Sequence, residues 1–115
     1  MNEELEQFRL DSIQELKDHK FEIKQILDSF IKEKYKYSVY IHGSILSKKR
    51  FTENSDVDIA IYINDNDLKS GPNEILTEKF REKLQKIAFN FGVVDVIVFN
   101  KENPKKNQIK LIRKI

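Results

Sequence analysis

Two stretches of this chain read as β-strands, and each carries aspartate where a strand side chain is normally apolar. Asp56 and Asp58 lead into Ile59-Ala60-Ile61-Tyr62-Ile63, and Asp95 interrupts Val93-Val94-Asp95-Val96-Ile97-Val98-Phe99. An ionised carboxylate in apolar surroundings is costly unless a cation or hydrogen-bond donors compensate it. Any fold that forms these strands must therefore bring something positive to them. Alternation along a strand puts Asp56 and Asp58 on one face about 6.5 Å apart, a spacing at which a divalent ion relieves the repulsion. The residues alone also allow a plainer arrangement, in which Asp56 caps a turn, Asp58 pairs with a lysine and Asp95 guards an edge strand.

At 115 residues the chain is expected to form a single domain, residues 1–115, large enough for one core around one sheet. Its 21 basic and 19 acidic side chains leave a net charge of +2, which gives no bulk case for nucleic acid or membrane as a direct partner. The basic tail Lys101, Lys105, Lys106, Lys110, Arg113 and Lys114 could contact phosphates, but a tail helix packed on the core explains those charges equally well. The absence of cysteine excludes disulfides and thiolate metal sites. No apolar run approaches the roughly 18 residues that span a bilayer, and the acidic start Met1-Asn2-Glu3-Glu4 is unlike a signal peptide. A soluble cytoplasmic protein is the expectation.

The first third is helical in pattern. Leu5, Phe8, Ile13, Leu16, Ile23, Ile26, Leu27, Phe30 and Ile31 recur at three- and four-residue spacing, with residues 1–20 a helical N-terminal extension. One helix or two fit equally, since Asp18-His19-Lys20 is a weak point. Whether the extension packs on its own chain or on a partner is left open. Tyr37 to Ile41 then reads as a strand ending in the turn Gly43-Ser44, and Val57 to Ile63 as a second strand ended by Asn64-Asp65-Asn66-Asp67 and Gly71-Pro72. Asn73 caps a helix whose stripe is Ile75, Leu76, Phe80, Leu84, Ile87 and Ala88, with Gly92 closing it. Val93 to Phe99 is the third strand, its apolar run implying cover on both faces. After Pro104, Ile109, Ile112 and Ile115 fall on one side of a short helix. The order α-β-β-α-β-α predicts a small α/β (α+β) domain with helices packed on a mixed sheet of three or more strands.

Chemistry enters where the turn meets the carboxylates. A glycine followed by a small hydroxyl residue after a strand lets a phosphate approach backbone N–H groups, with the Ser44 hydroxyl as a further donor. Residues 45–55 separate that turn from Asp56-x-Asp58, and residues 59–94 separate the pair from Asp95. Carboxylates on neighbouring strands beside such a turn supply the oxygen ligands that two-metal phosphoryl chemistry needs.

The ordered set Gly43-Ser44, Ser55-Asp56-Val57-Asp58-Ile59-Ala60 and Val94-Asp95-Val96-Ile97 resembles the polymerase-β-type nucleotidyltransferase superfamily over about residues 20–115. It is most similar to the minimal nucleotidyltransferase (MNT) antitoxins of two-gene MNT/HEPN toxin–antitoxin pairs. The resemblance implies a nucleotidyltransferase-like fold in which Asp56, Asp58 and Asp95 are catalytic and bind two Mg²⁺ ions. It implies that Gly43 and Ser44 hold the phosphates of ATP or another nucleoside triphosphate, and that a nucleoside monophosphate passes to a hydroxyl. The acceptor it implies is a tyrosine on a small all-helical HEPN-type toxin, silenced by the transfer. Where the family carries Arg-x-Arg-Gly after Gly-Ser, this chain has Ile45-Leu46-Ser47-Lys48-Lys49-Arg50. Lys48 and Arg50, with Lys49 between them, are the candidate cations for the triphosphate. The alternative is a fold member that neutralises its toxin by binding alone, and a homo-oligomer is also compatible.

Overall fold

The computed structural model describes residues 3–64, 69, 71–100 and 108–114, and no side chain beyond Ile112. The turn expected at Asp65–Asp67, and Lys101, Pro104, Lys105, Lys106 and Ile115, lie outside that set. Two helices, α1 (Glu3–Asp18) and α2 (Lys20–Phe30), precede strand β1 (Lys36–His42). Strands β2 (Val57–Asn64) and β3 (Gly71–Pro72), helix α3 (Glu74–Leu84) and strands β4 (Val94–Asn100) and β5 (Ile109–Lys114) follow. The five strands form one sheet in the order β3-β4-β2-β1-β5. The β1–β2 pair is antiparallel, and β4 lies parallel to β2. A parallel neighbour requires a long crossover, and α3 supplies it.

The alternation of strand side chains divides the sheet into two faces. Val39, Ile41, Ile59, Ile61, Val96 and Val98 enter one buried cluster with Leu16, Ile23, Leu27, Phe80 and Leu84 from the three helices. The opposite face holds a smaller cluster of Tyr40, Ala60 and Tyr62, with Ile97 and Phe99 half-buried against it and no helical residue among the described ones. Tyr62 stacks on Phe99 at 5.3 Å and meets Tyr40 edge-on at 5.6 Å. Strand β4 is therefore not covered equally on both faces, as its apolar run suggests. Val94, Val96 and Val98 are buried, whereas Asp95 is exposed and Ile97 and Phe99 rest on a neighbouring strand rather than on helices.

The final element is a strand, not the expected helix. Ile109–Lys114 pairs antiparallel with β1, and a register shift at Val39/Tyr40 lets both Leu111 and Ile112 reach buried positions. The bulge gives the segment apolar spacing that imitates a helix, while its β-branched residues satisfy the outer edge of β1. Helix α3 ends sooner than its stripe. Asn73 caps it as expected, its side-chain oxygen accepting from the Leu76 N–H at 3.0 Å. The chain then leaves the helix at Gln85 through tight turns, with Lys86 N–H donating to Lys83 O and Ile87 N–H to Leu84 O. Phe89 stacks on Phe91 and meets His19 edge-on, and Glu15 accepts from the Asn90 N–H at 2.7 Å. These contacts draw residues 85–92 toward the α1–α2 junction, so Ile87, Ala88 and Gly92 are not helical; Ile75 faces solvent.

Gly71-Pro72 does more than end a strand. As β3 it pairs with Phe99 and Asn100 at the sheet edge, where proline needs no ladder N–H. The break at His19 leaves two helices, and Ser12, Ile13 and Leu16 of α1 are buried. No described helix is long and apolar enough to cross a membrane.

Candidate metal centre and phosphate turn

The antiparallel β1–β2 hairpin and the parallel β2–β4 pair bring one end of each strand to the same end of the sheet. His42, Asp58 and Asp95 are register partners in a single row across β1, β2 and β4. All three belong to the face opposite the helical core, because each is out of phase with the core residues beside it. Asp56 lies just ahead of β2. One carboxylate oxygen from each of Asp56, Asp58 and Asp95 lies within 4.8 Å of the others. The structure thus brings together the three aspartates that the sequence singles out.

Their environments differ. Asp56 and Asp95 are exposed and Asp58 is half-buried. Burial pushes the Asp58 carboxyl above its ordinary range; His42 draws it down, and the neighbouring Asp95 and Asp56 push it up again. Burial and like charge both oppose ionisation, which an ion shared by the three groups would reverse. An all-oxygen donor set suits a hard cation such as Mg²⁺, so the residues present fit the metal that the resemblance implies.

The turn after β1 is built against this cluster. Gly43 has φ +87°, and a Cβ there would come within 2.4 Å of Asp58 Oδ2. Only glycine serves at this point, both for the left-handed backbone and for the carboxylate beside it. Ser44–Leu46 then forms one turn of 3₁₀ helix, closed by Leu46 N–H donating to Gly43 O at 3.1 Å and Ser47 N–H to Ser44 O at 3.0 Å. Gly43 and Ser44 accordingly sit at the edge of the carboxylate cluster. Lys48 and Arg50 lie farther along, exposed in the turn at 48–50, and neither makes an ion pair with an aspartate among the described residues.

Two residues at the site carry no signal of their own in the sequence. His42 reads as a packing or surface residue, yet it is half-buried at the head of the row and its charge bears on Asp58. Arg81 of α3 reaches around the edge of β4. Its Nη2 lies 3.7 Å from Asp95 Oδ1 and donates to Val96 O at 3.4 Å, while Nη1 pairs with Glu78. The available hint for Arg81 is its position one turn after Thr77, a second polar residue within the apolar stripe of α3. An arginine at this place holds the exposed Asp95 carboxylate by its outer side.

A family model described as "Polymerase beta, Nucleotidyltransferase" matches residues 22–114, which include every strand, α3 and the whole cluster but not α1. No curated protein and no solved structure matches the chain.

Proposed function

The chain belongs to the polymerase β nucleotidyltransferase family, and on that premise we propose that it moves a nucleoside monophosphate, AMP from ATP in the first instance, to a hydroxyl acceptor. The acceptor we infer, from the resemblance to MNT antitoxins alone, is a tyrosine of a small all-helical HEPN-type toxin, which would make the chain an antitoxin. The observation that carries the reading is the convergence of Asp56, Asp58 and Asp95 within 4.8 Å beside a glycine turn that no other residue could form.

In this reading Asp56, Asp58 and Asp95 hold Mg²⁺, which when bound supplies the positive charge that a triphosphate requires. Gly43 and Ser44 offer the backbone and the Ser44 hydroxyl to the β- and γ-phosphates. Asp95 orients the acceptor hydroxyl and accepts its proton. The acceptor oxygen forms a bond to the α-phosphorus as the bond from that phosphorus to the bridging oxygen of the β-phosphate breaks, and pyrophosphate leaves. Lys48 and Arg50, exposed on the turn at 48–50, are the candidates for further cationic contacts with the triphosphate.

The test is incubation with Mg²⁺, each labelled nucleoside triphosphate in turn and the product of the neighbouring gene, followed by intact mass of both chains. One nucleotide added to the neighbour by the wild type, and none by Asp56→Asn, is the expected outcome. A stable complex with unchanged masses would make the protein an antitoxin by binding alone. Neither complex nor modification would remove the toxin from the proposal.

A further inference from the structure

Helix α1 lies outside the residues that the family model matches, yet it touches the phosphate turn directly. Arg9 Nη1 donates to Ile45 O at 2.8 Å, across a separation of 36 residues. Its Nε and Nη2 both donate to the Glu6 carboxylate at 2.9 Å, a bidentate grip that fixes the plane of the guanidinium. The Arg9 side chain is only 13% exposed. One turn of helix thus pins an arginine, and the arginine pins a backbone carbonyl.

That carbonyl is not an arbitrary one. Ile45 O and Leu46 N share one rigid peptide plane, and Leu46 N–H donates to Gly43 O. Gly43 O in turn shares its plane with Ser44 N, the backbone donor that follows the glycine packed against Asp58. Two planes and two hydrogen bonds therefore lead from Arg9 to the Ser44 N–H. The far side of the same loop is held by the same helix, since the Phe8 ring lies 6.1 Å from the buried ring of Phe51.

We propose that α1 is a working part of the nucleotide site and that Arg9, locked by Glu6, is a positioning residue that sets the Gly43–Ser44 turn for the triphosphate. The proposal rests on the nucleotide reading given above. Arg9 is a strut and not a phosphate ligand, because its charge is already spent on Glu6 and its free edge on Ile45 O. It follows that removing Glu6 harms nucleotide binding as removing Arg9 does, although Glu6 carries the same sign of charge as the nucleotide. A direct phosphate contact would give the opposite result for Glu6.

The experiment compares wild type, Arg9→Met and Glu6→Gln by amide hydrogen exchange without ligand and by titration with Mn²⁺ alone and with ATP in its presence. Faster exchange at Leu46 and Ser47, Mn²⁺ affinity unchanged, and ATP affinity weakened about 10-fold in both variants are the expected results. ATP affinity within twofold of wild type in a folded variant would overturn the role of Arg9 while leaving the nucleotide reading intact. Tighter ATP binding by Glu6→Gln would overturn the strut in favour of a direct contact. Wild-type protein that binds Mn²⁺ but no nucleoside triphosphate would overturn the nucleotide reading and the role of Arg9 with it. Glu6→Gln alone carries the test if Arg9→Met does not fold.

Discussion

Asp58 sits where the electrostatic demands of the site conflict most. It is half-buried, it touches the Gly43 backbone, and it has two other carboxylates as neighbours. Its folded-state pKa is raised, so the native state binds more protons than the unfolded state between the ordinary carboxylate range and the raised value. Stability from this group is complete below the ordinary range and declines as pH rises through the raised pKa. Asp58→Asn should therefore raise the melting temperature of metal-free protein by a few degrees at pH 7, with the gain shrinking toward pH 4, as thermal scans in a chelator can establish. The same change should lower Mg²⁺-dependent nucleotide turnover by more than about 100-fold. Loss of stability at pH 7 would instead make Asp58 a structural residue. The three aspartates were legible in the sequence because a carboxylate in a strand contradicts the local pattern. Arg9 contradicts nothing locally, since arginine is ordinary on a helix, and Arg81 is marked only by its place one turn after Thr77; both act through partners that tertiary structure brings to them.

Helix α3 stands in for a strand along the outer edge of β4. Strand β3 covers only Phe99 and Asn100, so the backbone before them must be satisfied in another way. Thr77 Oγ1 accepts from Val98 N–H at 2.9 Å and donates to Asn73 O at 2.7 Å, Asn73 N–H donates to Val98 O at 2.7 Å, and Arg81 covers Val96 O. Thr77→Val keeps the shape and strands a buried N–H, which should cost about 1–3 kcal/mol in urea unfolding. Thr77→Ser, which keeps both bonds, should lose much less. Asn73 was legible as a cap because the residues around it obey the sequence rule for a helix start. The end of α3 was not, since the Phe89–Phe91 stack and the Glu15–Asn90 bond that pull the chain away are long-range. Strand β5 was hidden for a different reason: Val39 and Tyr40 pair with Ile112 and Lys110, so Leu111 is an extra residue in β5 itself, and that bulge breaks the two-residue alternation by which a strand is read.

At the scale of the whole molecule, all three helices lie on one face of the sheet and the carboxylate row on the other. The carboxylate cluster therefore adds no cavity to the core, and a ligand bound there would be linked to stability by mass action rather than by repacking. Mg²⁺ and ATP together, at a hundredfold excess over Kd, should stabilise the folded state by about 2.7 kcal/mol, roughly 10 °C in melting temperature. No shift in scanning fluorimetry at millimolar ligand would count decisively against a nucleotide site. The α/β class was legible from the change of period along the chain, but the strand order was not, because neighbours in space are set by pairing that crosses long stretches of sequence. The row of His42, Asp58 and Asp95 also imposes a schedule. Asp95 becomes the partner of Asp58 only when β4 has inserted beside β2, so a nascent chain that has made β1 and β2 alone owns the turn and two carboxylates but no third. The three carboxylates therefore meet only after the crossover through α3 has been made and β4 has docked, so assembly of the site reports completion of the sheet's parallel pair.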